Sequence, residues 1–274
     1  MDKYYSVCDK IIRFRLPEFY DKCPQWRLYE TEAKEPDIDY EFEICQSVPA
    51  FYEHILSRKN DSAEGIYNGR LFRTFYDGSK PITTCILGQS NTHTVFVDKN
   101  NLEYALDNKR FFLSFMVYNA LLSFGILNFH SSFIQMQGKG IIFSGVSGAG
   151  KSTQAGLWVK HRGARIINGD KSCIALVNGE PRVYSLPVCG LSNINSNESY
   201  PLEAVLFPIK SDRNEAVRLN PGKAFEYALP HIFYDSFSSD IQIKVIQALS
   251  DIAAKVPFYA LYCTLDKEAT QVIL

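Results

Sequence analysis

No two cysteines in this sequence stand at Cys-x-x-Cys spacing, and the seven present (8, 23, 45, 85, 173, 189 and 263) are scattered. An odd, dispersed set argues against a disulfide framework or a cysteine zinc site and reads as reduced thiols, which places the protein in the cytoplasm. A charge excess of either sign is also lacking: 29 Lys and Arg stand against 30 Asp and Glu, for a formal net charge of −1. Bulk electrostatics therefore point to no nucleic-acid partner and no membrane-surface partner. The opening Met1-Asp2-Lys3-Tyr4-Tyr5 has no apolar signal core. The glycosylation-like triplets at Asn60 and Asn197 are then coincidences of composition. No period repeats, and no low-complexity tract occurs.

Long apolar runs are nearly missing as well. The exception, Phe111 to Leu127, is uncharged and follows Lys109-Arg110, a flank that suits a membrane helix. It is short for a span and contains Ser114, Asn119, Ser123 and Gly125, so it reads as a buried central helix. What the chain does have is an ordinary globular balance, 46% hydrophobic and 22% charged, with 14% aromatic residues that read as core. Its length allows two domains or one elaborated domain.

The most informative stretch is Gly145-Val146-Ser147-Gly148-Ala149-Gly150-Lys151-Ser152-Thr153. Glycine, four residues, then Gly-Lys-Ser is the complete phosphate-loop pattern. Small residues let backbone N–H groups converge on phosphate oxygens, and the helix that follows presents its positive end. Gly145, Ser147, Gly148, Ala149, Gly150, Lys151, Ser152 and Thr153 are thus the nucleotide-binding candidates. Lys151 reaches the outer phosphates and the Ser152 hydroxyl holds magnesium. An apolar strand over 140–144 precedes the loop, and a helix stopping near Gly163 follows it.

Along the chain, residues 4–16 alternate like one strand, and Pro17 to Gln25 reads as loop. Glu30 to Glu43 carries seven acidic residues against one lysine and ends in a strand-like alternation. A basic partner or a metal is one reading of that run, and a solvated edge whose charges block strand pairing is the better one. Strands follow at 65–76, 82–87 and 92–97, punctuated by Asn68-Gly69 and Asp77-Gly78, so the first hundred residues read as mainly antiparallel sheet. Beyond the buried helix come strands at 132–137 and 140–144 about Gly138, a strand at 164–167, and a hairpin of 172–177 with 182–186. Strands at 202–208, 214–219 and 257–264 and helices from Pro221 and Ser239 complete a mixed-sheet α/β core.

Taken together, His130-Ser131-Ser132, a strand, the phosphate loop and Gly169-Asp170 after the next strand resemble the catalytic domain of HPr kinase/phosphorylase. Tyr184-Ser185-Leu186-Pro187-Val188-Cys189-Gly190, Pro201 to Phe207 and Arg218 to Ala224 are similar to small HPr-kinase-like proteins. The resemblance spans about 120 to 265. It implies an α/β (α+β) fold with a phosphoenolpyruvate carboxykinase-like phosphate-loop core and mixed sheet in 111–274, preceded by a β-rich region in 1–110 packed on it. It further implies an ATP- and Mg2+-dependent kinase that transfers the γ-phosphoryl group to a hydroxyl. The expected acceptor is a serine or threonine of a peptide or small protein, with a small-molecule hydroxyl next. HPr kinases are hexamers, which leaves a homo-oligomer open. No helper domain or C-terminal regulatory element is found, so HPr itself is not the expected acceptor.

Phosphoryl transfer requires charge neutralisation, alignment and orientation of the attacking hydroxyl. Asp170, at the end of the strand after the loop helix, either holds magnesium or takes the hydroxyl proton; an ordinary turn aspartate is the plain alternative. His130 resembles the family histidine near the phosphates, although a lone histidine is often a satisfied core residue. Arg218, and less so Arg213, are candidates for the charge of the transferred group. Cys189 lies in the Pro-x-Cys-Gly loop near the site, with a buried thiol as its default, and Glu198 and Glu203 have no distinguishing context. The family often has two adjacent aspartates where this chain has Gly169-Asp170. That departure motivates a rival reading, a nucleotide-binding regulatory module without transfer. A carboxykinase-like enzyme is a third reading, lacking the extra metal-binding lysine and histidine.

Overall fold

The computed structural model describes residues 2–15, 24–51, 54–105, 112–234 and 238–273. The chain forms two compact units, Met1–Ala120 and Leu121–Leu274, each built on an eight-stranded mixed sheet. The architecture is mixed α/β.

In the first unit, β1 (Asp2–Val7) and β2 (Lys10–Arg15) form a hairpin. Its turn, Cys8-Asp9, has φ of 54° and 58°, so the single strand expected over 4–16 is two strands. The alternation continues through a two-residue turn that carries neither glycine nor asparagine to mark it. Most of the loop expected over 17–25 lies outside the described residues, and a short helix begins at Pro24. After β3 (Ile38–Cys45) come β4 (Ile55–Arg58), β5 (Ser62–Tyr67), β6 (Arg70–Asp77), β7 (Lys80–Ile86) and β8 (Thr92–Asp98). The strand expected over 65–76 is therefore the β5–β6 hairpin, turning at Asn68-Gly69.

The sheet order is β1-β2-β3-β8-β7-β6-β5-β4. Strand β3 runs parallel to both neighbours, β2 and β8. This corrects one expectation: the end of the acidic run, from Ile38, is an interior strand rather than an edge. The sheet is mainly antiparallel, as expected, with its two parallel pairings both at β3. The charges are matched from within. Lys3 pairs with Glu30, Lys10 Nζ lies 3.4 Å from Asp37, and Asp39 accepts from Arg13 (2.9 and 2.5 Å) and Arg15 (2.9 Å). A basic hairpin laid beside an acidic strand neutralises what would otherwise oppose pairing.

The apolar segment after residue 111 is buried as expected, with Phe112, Phe115, Met116, Val117 and Leu121 all inaccessible. It is not one helix to residue 127. Met116 takes a left-handed φ of 54°, the helix proper is Val117–Leu122, and Gly125 (φ 73°) turns the chain into a strand. Among the described residues no helix is long and apolar enough to cross a membrane.

In the second unit, β9 (Leu127–Met136) and β10 (Lys139–Ser144) form the hairpin that leads into the phosphate loop and the helix Lys151–Arg162. Then come β11 (Arg165–Asn168), β12 (Lys171–Val177), β13 (Glu180–Ser185), β14 (Ser199–Lys210), β15 (Glu215–Arg218) and β16 (Phe258–Cys263). The order is β10-β9-β12-β13-β14-β16-β15, with β11 on β9 and a further pairing of β10 with β14. Strands β10, β9, β12, β13 and β14 thus close a circuit. Gly140 faces a crowded interior, where a Cβ would meet Val183 Cγ1 at 2.3 Å. Asn220 caps the helix Pro221–Ala228 by accepting from the Lys223 N–H at 2.9 Å, with Pro221 in its first turn. The loop helix packs Ala155 and Trp158 against Ile134, Phe143, Leu206 and Leu261. That packing fixes the loop to the ends of β10, β14 and β16.

Candidate phosphate-binding site

The loop leaves β10 at Ser144, whose hydroxyl donates to the His130 carbonyl at 3.0 Å. Gly148 (φ 79°) and Gly150 (φ 103°) hold left-handed conformations. A Cβ at either position would meet nothing within 4 Å, so backbone conformation rather than space demands glycine there. Lys151 is 8% exposed, and its Nζ donates to the carbonyls of Gly145 (2.8 Å) and Val146 (3.0 Å). Burial lowers the pKa of this ammonium, opposed by Asp170 and reinforced by Lys171. Ser152 and Thr153 are exposed, and residues 147–153 line a cavity of about 500 Å³ with His130 and Asp170. Gly145, at the strand end, contributes its carbonyl to Lys151.

The Asp170 wall of this cavity is built by hydrogen bonds that short-range sequence patterns do not reveal. Asn168 is fully buried. Its Nδ2 donates to Ser185 Oγ and to the carbonyls of Leu186 and Val188, while its Oδ1 accepts the N–H groups of Asp170 and Lys171, both at 3.0 Å. This fixes the backbone that presents the carboxylate. The β9–β12 ladder sets Lys171 opposite His130. His130 Nε2 then lies 3.5 Å from Asp170 Oδ1 and Lys171 Nζ 3.1 Å from Oδ2. The His130 contact and Lys171, outweighing burial, hold the Asp170 carboxyl well below the usual carboxylate range. Lys171 also sits 4.2 Å from the centre of the Phe233 ring. Ser131 and Ser132 serve the frame: Ser131 Oγ meets Ser172 Oγ at 2.6 Å, and Ser132 Oγ donates to the Gly169 carbonyl at 3.3 Å.

The opposite wall consists of Lys210, Cys263 and Leu265. Strand β14 is parallel to β10 and to β16, so their C-terminal ends gather at one edge, where ligands collect in open sheets. That parallelism is what would have pointed to these residues, and it is a tertiary property. Arg218 lies elsewhere. It pairs in the ladder with Tyr259, at the far end of β16 from Cys263, and lines a separate cavity of about 380 Å³ with Pro221 and Phe258. Arg213 pairs with Glu215 at 3.2 Å and covers the Tyr262 ring. Glu198 binds Arg165, and Glu203 binds Lys139. Cys189 is buried, and burial, then Asp170, pushes its thiol pKa up.

Among the described residues no group of three or more His, Cys, Asp or Glu is placed to hold a metal. Magnesium does not require one, because it keeps several waters and binds through one or two carboxylates plus substrate phosphates. An ionised Asp170 sharing a cavity with the Ser152 hydroxyl fits that habit.

The model of the family described as SynChlorMet cassette protein ScmC matches residues 108–273. No curated protein matches the chain. Among solved structures, the HPr(Ser) kinase/phosphatase from Coxiella burnetii is similar over 53% of this chain and 90% of its own, with 9% identity and a TM-score of 0.29.

Proposed function

The chain belongs to the SynChlorMet cassette protein ScmC family, and from that premise we propose that the matched part is an ATP- and magnesium-dependent kinase acting on a hydroxyl. The fold assigned to it in this reading is a phosphoenolpyruvate carboxykinase-like phosphate-loop core, working in the cytoplasm. One observation carries the reading: a complete phosphate loop shares its cavity with a carboxylate that its neighbours keep ionised. The loop N–H groups and Lys151 bind the triphosphate and neutralise its charge. Ser152 and Asp170 would hold magnesium, which supplies further neutralisation when bound. The acceptor oxygen forms its bond to the γ-phosphorus as the bond to the bridging oxygen breaks. In the alternative role Asp170 is not the magnesium ligand and takes the hydroxyl proton at Oδ1, which lies 3.5 Å from His130 Nε2. In a loose transition state little proton abstraction is needed early, so a weakly basic carboxylate suffices.

The acceptor favoured is a serine or threonine of a peptide or small protein. The family's description as a cassette protein directs the search to products encoded beside it. A second reading, a nucleotide-binding regulatory module, is favoured by Gly169, where Ser192 occupies the space of a second carboxylate. Acceptor-dependent ADP release and phosphopeptide mass shifts, compared between wild type and Asp170→Asn, separate the two. The kinase reading expects turnover in wild type and its loss in Asp170→Asn, with nucleotide still bound. Tight binding without turnover on any acceptor supports the module instead. Lys151→Ala should weaken triphosphate binding by about 1.5–3 kcal/mol, the range for a charged hydrogen bond; unchanged affinity would refute the loop assignment itself.

A further inference from the structure

We propose that Leu265 is the platform for the nucleobase, on the wall of the cavity opposite Asp170; this rests on the triphosphate reading above. Leu265 is 73% exposed, the most exposed large hydrophobic side chain among the described residues, and it lines the same cavity as the phosphate loop. A single exposed leucine is ordinary on a protein surface. This one stands on a backbone pinned from two directions. Gln154, in the first turn of the loop helix, donates its Nε2 to the Thr264 carbonyl at 3.1 Å. Asn214 Oδ1 accepts from the Thr264 N–H (2.9 Å) and hydroxyl (3.1 Å), and its Nδ2 reaches Asp266 at 3.4 Å. The side chain is therefore held out over the cavity by an ordered strand end.

The loop chemistry sets the direction of the ligand. The loop lysine takes the outer phosphates, while the loop backbone cradles the inner ones. Lys151 and Asp170 therefore mark the γ end. Strand β10 pairs with β9, the His130 and Asp170 side, on one edge and with β14, which carries β16 and so Leu265, on the other, so the nucleoside end emerges on the Leu265 side. A planar base needs an apolar face to leave water, and the leucine gains by being covered. Because that face carries no hydrogen-bonding atom, it accepts adenine and guanine alike.

Full-length wild type, Leu265→Ser and Leu265→Phe are titrated calorimetrically with ATP, GTP and inorganic tripolyphosphate in the presence of magnesium. Leu265→Ser is expected to weaken ATP and GTP by about tenfold, the loss of one buried apolar contact, and to leave tripolyphosphate unchanged. Leu265→Phe, which keeps an apolar face and adds an aromatic one, retains or tightens nucleotide binding. Undiminished ATP affinity in Leu265→Ser overturns the proposal, as does an equal loss for ATP and tripolyphosphate. If wild type binds tripolyphosphate but gains nothing from the nucleoside, the platform alone is refuted. If it binds neither ligand, the triphosphate reading falls and takes the platform with it.

Discussion

At Gly169 a single carbon decides what the site can contain. A Cβ there would stand 2.2 Å from Ser192 Oγ and 2.6 Å from Ser192 Cβ. Ser192 cannot easily yield, since its hydroxyl donates to the Cys189 carbonyl at 2.7 Å and accepts from the Ile194 N–H at 3.3 Å. Gly169→Asp should therefore lower stability by about 1–3 kcal/mol, the usual cost of overpacking, and gain no turnover. Thermal unfolding checks this, and a double change with Ser192→Gly should recover most of the loss. A Gly169→Asp protein as stable as wild type would show that the loop moves aside freely. The glycine itself was legible as a departure from a familiar pattern; its reason was not, because the side chain that fills the space is far along the chain. Lys151 and the loop were readable because phosphate binding is a local backbone property. Lys171 was not, since a lysine after an aspartate reads as surface charge until β9 and β12 pair. Arg218 shows the same blindness: spacing places it on a strand, without saying which end of the sheet that strand end reaches.

Among the elements, the β9–β10 hairpin bears most on the site, because His130 lies on its first strand and the phosphate loop leaves the end of its second. It turns at Gln137-Gly138, both with left-handed φ (52° and 78°), and Gln137 is exposed. Asparagine tolerates that conformation better than glutamine. Gln137→Asn should therefore raise stability by up to about 1 kcal/mol, read as a higher melting temperature with ligand binding unchanged; a lower one would mean that the glutamine side chain has an unrecognised role. The hairpin at Asn178-Gly179 was visible in the sequence because its turn chemistry is strong, whereas Asn68-Gly69, an equal turn signal, fell inside one expected strand. Cys8-Asp9 carries no such mark, and one strand was expected where there are two. Met116 likewise interrupts an uncharged segment at a position that carries no glycine or proline.

For the molecule as a whole, burial lowers the pKa of a histidine in each unit, His93 in the first and His231 in the second. His93, in the first unit, is 3% exposed, accepts the Gly88 N–H at its Nδ1 (3.1 Å) and lies against the Tyr40 ring. Burial pulls its pKa down to about 4, with Asp39 opposing. The folded unit therefore keeps the imidazole neutral where an unfolded histidine, near 6.5, already binds a proton. This contribution is complete above pH 6.5 and is lost as pH falls from 6.5 to 4, by about 3 kcal/mol in all. Denaturant unfolding at pH 7 and pH 4.5 should show the first unit weakening, and His93→Gln should flatten that dependence. A wild-type transition that stays fixed across the interval would contradict it. That helices alternate with strands only later in the chain was legible from turn spacing and hydrophobic period. The parallel placement of β3 was not, because its partner lies far downstream. That placement also dictates an order of assembly. Strand β3 meets β8 only after about fifty further residues have been made and folded back, the costliest loop to close in the sheet. Until then β3 has its β2 partner at hand but its other side open, and carboxylates along an open strand disfavour pairing with another molecule.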